Sequence, residues 1–208
     1  MDETLILASG SPRRRDLMEE AGYRFEVVKP DVEEIEDATI PIRELTRLNA
    51  KLKADAVAGS HPGRVVIAAD TLVLLDGIAL GKPADAAEAF AMIRSLNGRT
   101  HQVYTAVCVA RAGTEADAEF FVVTDVTFRR LSDAELRRYH ELIDPMDKAG
   151  AYAAQDHGDI VIERVTGSWT NVVGLPMEEL AKWLGERFGV LPGGTRSQET
   201  AGGNSTFA

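Results

Sequence analysis

Val65-Val66-Ile67-Ala68-Ala69-Asp70-Thr71, followed by Leu72 to Leu75, Asp76-Gly77 and Ile78-Ala79-Leu80, sets the class of the fold. Five apolar residues ending at an acid predict a buried strand. The Asp-Gly dipeptide between two short apolar runs predicts a hairpin turn. An acid at the C-terminal end of a buried strand stands where α/β sheets place their ligand clefts. A carboxylate there can bind a metal or take a proton from water. The plainer role for Asp70 is to cap a turn.

Outward from this stretch, strand-like and helix-like segments alternate, which predicts an α/β protein. Upstream, Leu5 to Ala8 reads as a buried strand. Ser9-Gly10-Ser11-Pro12 ends it, with Ser11 as N-cap and Pro12 as first residue of a helix reaching about Ala21, where Gly22 stops it. Phe25 to Val28 reads as a strand and Asp31 to Asp37 as an acidic loop. Ile42, Leu45, Leu48, Leu52 and Ala56 mark one helical face. Downstream, Asp85 to Leu96 reads as a helix stopped at Asn97-Gly98. Val103 to Val109 and Phe120 to Phe128 are long strand candidates. Ser132 to Glu135 is a capping box, Ile160 to Val165 a late strand and Glu178 to Arg187 a last helix. From Pro192 the apolar pattern is lost. Residues 1–191 are therefore expected to form one domain and 192–208 a disordered tail.

Composition narrows the classes. The chain has 208 residues, a formal net charge of −10 and a single cysteine, Cys108. One cysteine excludes an internal disulfide framework, and its place between Val107 and Val109 predicts a buried thiol. The acidic balance argues against a nucleic-acid partner. No apolar run approaches the roughly 20 residues of a membrane helix. Met1-Asp2-Glu3 carries the wrong charge for a signal peptide. A soluble, cytoplasmic protein without membrane contact is expected.

Ser9-Gly10-Ser11-Pro12-Arg13-Arg14-Arg15 is the basic counterpart of Asp70. A helix N-terminus attracts anions through its free amides. Three arginines there oppose the helix dipole, which is explicable if their forked donors meet phosphate. Gly81-Lys82-Pro83 fails the phosphate-loop test. Gly77 and Gly81 are separated by three residues where the loop needs four, and Pro83 replaces Ser/Thr. Lys82 is then either a phosphate-binding point charge or an exposed loop lysine. The histidines His61, His101, His140 and His157 form no H-x-x-x-H pair, which disfavours a zinc hydrolase. Gln155 follows the small-residue stretch Ala149 to Ala154, which can line a pocket closely.

Taken in order, these segments resemble the Maf family of nucleoside triphosphate pyrophosphatases. The matching stretches are Leu7 to Arg14, Ala69-Asp70-Thr71, Gly81-Lys82-Pro83, Leu96 to Val103, Thr105-Ala106-Val107, Asp147 to Tyr152 with Gln155, and Val172 to Pro176. The resemblance covers about residues 4 to 188. It implies an inosine-triphosphatase-like α/β fold: an elongated mixed sheet flanked by helices, with two lobes around a cleft. It also implies hydrolysis of a nucleoside triphosphate to the monophosphate and pyrophosphate, with a divalent cation (Mg²⁺, Mn²⁺ or Co²⁺).

Carried over by position, the resemblance makes Asp70 the proton acceptor and Glu34 a loop carboxylate near metal and phosphates. Ser9, Arg13 and Arg14 fall in the phosphate motif. Lys82 and Lys53 hold phosphate, although the segment from Leu48 to Ala54 aligns less cleanly and leaves Lys51 open as the functional lysine. Arg13, Thr71 and Gln155 fall where the dTTP/UTP branch carries its selectivity residues. The 7-methyl-GTP branch usually has Gln after the catalytic Asp, where this chain has Thr71. Ala153-Ala154 replaces the commoner Gly-Ile before Gln155, and Asp156-His157 stands where a glycine is usual. Two rival readings stay open: a nucleotide-binding regulator of septum formation with little turnover, and a house-cleaning pyrophosphatase for modified purine triphosphates. Family members are often homodimers, so a homodimer is an expectation carried by the resemblance alone.

Overall fold

The computed structural model describes residues 4–111 and 118–193. In chain order the elements are β1 (Leu5–Leu7), α1 (Pro12–Glu20), β2 (Phe25–Val27), α2 (Ile42–Ala58), β3 (Val65–Leu75), β4 (Ile78–Leu80), α3 (Ala86–Leu96), β5 (Thr100–Arg111), β6 (Ala118–Phe128), α4 (Asp133–Leu142), α5 (Gly158–Val161), β7 (Ile162–Thr166), α6 (Trp169–Val173) and α7 (Met177–Phe188). The strands form one mixed sheet in the order β2-β1-β3-β5-β6-β7, with β4 paired to β3. Pairing is parallel in β2-β1-β3 and antiparallel elsewhere. The α/β reading and the mixed sheet are both present.

β3 is the spine of the sheet. It does not end at Asp70, as its sequence predicts, but runs on to Leu75. The reason is β5, which pairs with it from Val65↔Arg111 to Leu74↔Gln102 without a break. Eleven extended residues span about 36 Å. Among the described residues β3 is paired on its other side only at its ends, by β1 as far as Ile67 and by β4 from Val73. The Asp76-Gly77 turn between β3 and β4 is as predicted, with both residues at positive φ, 50° and 83°.

The alternation of side chains along β3 divides the molecule into layers. Val65, Ile67, Ala69 and Val73 join a large core with Leu5, Leu7, Met18, Ile93 and Leu180. Val66 and Ala68 face the other way, onto Ala50, Ala54, Val57 and Ala58 of α2. Cys108 lies buried in this second layer. Helix α2 therefore buries the stripe Leu45/Thr46, Asn49/Ala50, Lys53/Ala54, Val57/Ala58, which shares only Leu45 with the predicted one. Leu48 and Leu52 are half-buried and Ala56 is exposed. Alanines let the helix approach the sheet closely, which the larger leucines would prevent.

Smaller differences have local causes. The Ser11 side chain does not cap α1; the Ser9 hydroxyl accepts the Ser11 N–H instead, at 3.1 Å. The late strand starts at Ile162 because left-handed His157 (φ 58°) opens the short helix α5 first. The capping box of α4 forms as predicted. The expected tail lies, from residue 194 onward, outside the described residues; Gly193 itself donates its N–H to the Gly22 carbonyl at 2.9 Å.

One buried polar cluster braces the far end of β5. His101, 2% exposed, meets the Tyr152 hydroxyl at 3.0 Å through Nε2 and packs edge-on against Phe128 and Tyr152. Burial pulls its pKa down to about 4, against a small opposing pull from Asp125. A histidine buried neutral contributes stability that is fully present above its unfolded value near 6.5 and is lost as pH falls through the folded one. Urea unfolding at pH 7.5 and 4.5 is expected to show the wild type losing about 2 to 3 kcal/mol more than His101→Gln over that interval. Parallel profiles for the two proteins would contradict the assignment.

Candidate active site

The cleft opens where β1 stops and β4 has not begun. Its volume is about 1000 Å³, and it is bordered by Ser9, Glu34, Lys53, Asp70, Lys82 and Lys148, among others. Both Asp70 and Thr71 line it, although adjacent residues of a strand point to opposite faces. The unpaired edge of β3 makes this possible, because the cleft wraps around the edge and takes in both faces. Asp70 lies on the α2 face. Thr71 lies on the face shared by α1 and α6.

On the α2 face the charges are clamped. Lys53, 7% exposed, donates to Asp70 Oδ1 and to Glu34 Oε2, both at 2.7 Å. Asp70 is 5% exposed, and its other oxygen, Oδ2, is buried without a hydrogen-bond partner among the described residues. Small Ala106 stands opposite Asp70 on β5 and leaves it room. Burial raises the Asp70 pKa, with Glu34 adding to the rise and Lys53 and Arg14 opposing it. Burial also pushes Glu34 upward, but its ion pair with Lys53 and the charge of Lys82 help bring it below its ordinary value. The pair thus holds one carboxylate of raised basicity beside one that stays ionised.

Glu34 reaches Lys53 because its loop is tied down. Asn49, one helical turn before Lys53, accepts the Ile35 N–H at 2.8 Å and donates to the Ile35 carbonyl at 3.1 Å. The sequence reading missed this residue, although the spacing from Asn49 to Lys53 placed both on one helical face. Lys51 points away and pairs with Asp55 at 3.3 Å, so Lys53 is the lysine in the cleft. Lys82 stands at the rim, 61% exposed and 4.0 Å from Glu34 Oε1.

The three arginines of α1 have three different fates. Arg13 donates to the Asp147 carboxylate at 2.9 Å and to the Asp147 carbonyl at 3.3 Å. Arg14 donates to the Gly174 carbonyl at 2.7 Å and to the Thr71 hydroxyl at 2.9 Å, so it braces the cleft wall. Arg15, expected to meet phosphate with them, lies outside the cleft and pairs with Asp16 and Glu19 of its own helix. Gln155 is exposed and is not among the lining residues; Tyr152, Ala153 and Ala154 line the cleft in its place. Tyr139 holds that wall by donating to the Ala153 carbonyl and accepting its N–H, both at 2.9 Å. Buried Lys148 also lines the cleft, and it donates to Asp147 and to the Asp144 carbonyl. Asp147 and Lys148 open one of the stretches that carry the resemblance, but the sequence assigned neither a role in the site.

These stretches can be set against known proteins. The sequence profile described as Maf-like protein matches residues 4–187. The chain belongs to the Maf-like protein family. A relative from Akkermansia muciniphila named dTTP/UTP pyrophosphatase is 49% identical over 181 residues, covering 86% of this chain and 94% of its own. One of the same name from Deinococcus radiodurans is 49% identical, covering 86% and 91%. A third, from Myxococcus xanthus, is 46% identical over 190 residues, covering 91% and 95%. A solved structure, that of the Staphylococcus aureus Ham1 protein, has a TM-score of 0.44 at 17% identity over 61% of this chain and 72% of that one.

The donor set of this Maf-like protein suits a hard divalent cation. Among the described residues no three of His, Cys, Asp and Glu gather to hold a metal by themselves. Asp70 and Glu34 supply two carboxylates, and Asp70 Oδ2 has no other partner. Two carboxylates completed by phosphate oxygens and water are what Mg²⁺ accepts. Replacing the buried acid gives a test in the folded state. A carboxyl whose pKa is raised on folding contributes stability at low pH and loses it as pH rises through the folded value. The melting temperature of Asp70→Asn relative to the wild type, with a chelator present, is therefore expected to shift in favour of the variant as pH rises from 4 to 8. A difference that stays constant with pH, or moves toward the wild type, would contradict the raised pKa.

Proposed function

We propose that this chain hydrolyses dTTP and UTP to the nucleoside monophosphate and pyrophosphate. The observation that carries the reading is the buried Asp70, with one oxygen on Lys53 and the other unpartnered in the cleft. The relatives' names support the substrate class. Residues 1–191 are the catalytic domain in this reading.

Water attacks the α-phosphorus and the bond from that atom to the bridging oxygen breaks, so pyrophosphate leaves. Asp70, more basic than a surface carboxylate, accepts the proton of the water. Lys53 and Lys82 neutralise charge building on the phosphate oxygens, and Arg13 and the N-terminus of α1 face the same anion. Ser9 lines the approach to them. Arg14 acts through Thr71 and the Gly174 turn, which shape the wall on the sugar and base side. Asp70 and Glu34 would hold the divalent cation, which when bound supplies charge to the phosphates and acidity to its water. Arg13 and Thr71 border the cleft and are the selectivity residues in this reading. Exposed Gln155 would act from the rim.

The test is pyrophosphate release from canonical and modified triphosphates with Mg²⁺, Mn²⁺, Co²⁺ or none. The expected result is fastest turnover of dTTP and UTP, lowered about 100-fold or more in Asp70→Asn. Preference for modified purines would move the assignment to another substrate. Tight binding without turnover would make the protein a nucleotide-binding regulator.

The two lysines separate cleanly in the same assay. Lys53→Met is expected to lower kcat/KM by about 100-fold or more, because it removes a donor and leaves two carboxylates facing each other. Lys51→Met is expected to stay within about twofold of the wild type, since surface changes of this kind cost little. Reversed effects would place the functional lysine at 51.

A further inference from the structure

Thr71 and Thr105 are directly opposed on β3 and β5, with their hydroxyls 3.0 Å apart. Thr105 is fully buried and does not line the cleft, whereas Thr71 does. Each hydroxyl has one hydrogen and two lone pairs, so the contacts around the pair fix its direction. Arg14 can only donate, and it donates to Thr71. The Asn171 carbonyl can only accept, and Thr105 reaches it at 3.3 Å. One arrangement makes all three bonds: Arg14 to Thr71, Thr71 to Thr105, Thr105 to Asn171. If Thr105 instead donated to Thr71, the Asn171 contact would be lost.

The end of this relay is rigid. The Asn171 carbonyl also accepts the Gly174 N–H at 3.0 Å, and the Asn171 amide donates to the Val103 carbonyl and the Thr124 hydroxyl at 3.1 and 2.9 Å. Bonds running in one direction polarise and reinforce each other.

We propose that Thr105 is a specificity-setting positioning residue: by taking the hydroxyl hydrogen of Thr71, it leaves Thr71 facing the cleft with a lone pair only. A group of that kind accepts from a ring N–H. Uracil and thymine carry a hydrogen on N3, whereas cytosine carries a lone pair there and is turned away. This rests on the nucleotide reading above, and it gives that reading a physical basis for uracil over cytosine.

The experiment compares kcat/KM for UTP and CTP in the wild type, Thr105→Val and Thr105→Ser. Thr105→Val keeps the shape, frees the Thr71 hydrogen and is expected to lower the UTP:CTP ratio about tenfold or more; Thr105→Ser is expected to restore it. A merely structural loss would lower both substrates together and leave the ratio unchanged, which would overturn the proposal while the pyrophosphatase reading stands. A wild type with no preference for UTP over CTP would overturn the proposal alone, whereas no turnover of either nucleotide would overturn the pyrophosphatase reading on which it rests. Should Thr105→Val fail to fold, N3-methyluridine triphosphate tests the same point on the unaltered protein. Its kcat/KM is expected to fall about tenfold or more below that of UTP, while 5-methyluridine triphosphate is used like UTP. Equal use of the N3-methyl compound would overturn the proposal.

Discussion

The ammonium of Lys53 between Asp70 and Glu34 is the interaction on which the cleft depends. Two charges taken out of water, with a third half-buried beside them, are tolerable only when they are matched at close range. Here both contacts are 2.7 Å, and they come from three separate parts of the chain: an acidic loop, a helix and the central strand. Bringing them together requires α2 to lie close on the sheet, which its alanine stripe allows. It also requires the loop to be fixed by Asn49. The buried acid is held at a cost to stability, as is common for groups whose environment is tuned for reaction.

Two chemistries are kept apart by a single strand. Asp70, Lys53 and Glu34 gather on the α2 face of β3, while Thr71, Arg14 and Gly174 gather on the other. A triphosphate with its base can lie across the edge, its phosphates between Lys53 and the N-terminus of α1 and its base against Thr71 and the Gly174 turn. The division follows from nothing more than the period of two in an extended chain.

Much of this was legible in the sequence. The hairpin at Asp76-Gly77, the capping box at Ser132 and the burial of Val65 to Ala69 rest on local patterns that tertiary packing did not override. The resemblance carried roles to Asp70, Glu34, Ser9 and, with Lys51 left open beside it, Lys53, which the fold does bring together. Three features were hidden. An acid after five apolar residues reads as a strand end, yet β5 carries the pairing past it to Leu74. The leucine stripe of α2 outweighs its alanines in hydropathy, although alanines are what a close helix–sheet contact selects. Arg13, Arg14 and Arg15 look alike in sequence, and only the positions of Asp147, Thr71 and Asp16 separate them.

The early stop of β1 has a further consequence, for assembly. An unpaired sheet edge invites another chain to add a strand. The free stretch of β3 between Ile67 and Val73 is bounded by β1 at one end and β4 at the other. A partner strand of ordinary length would collide with both. The protein can thus leave an edge of its central sheet open to a small molecule while closing it to its own kind, so the gap serves as a size filter against aggregation.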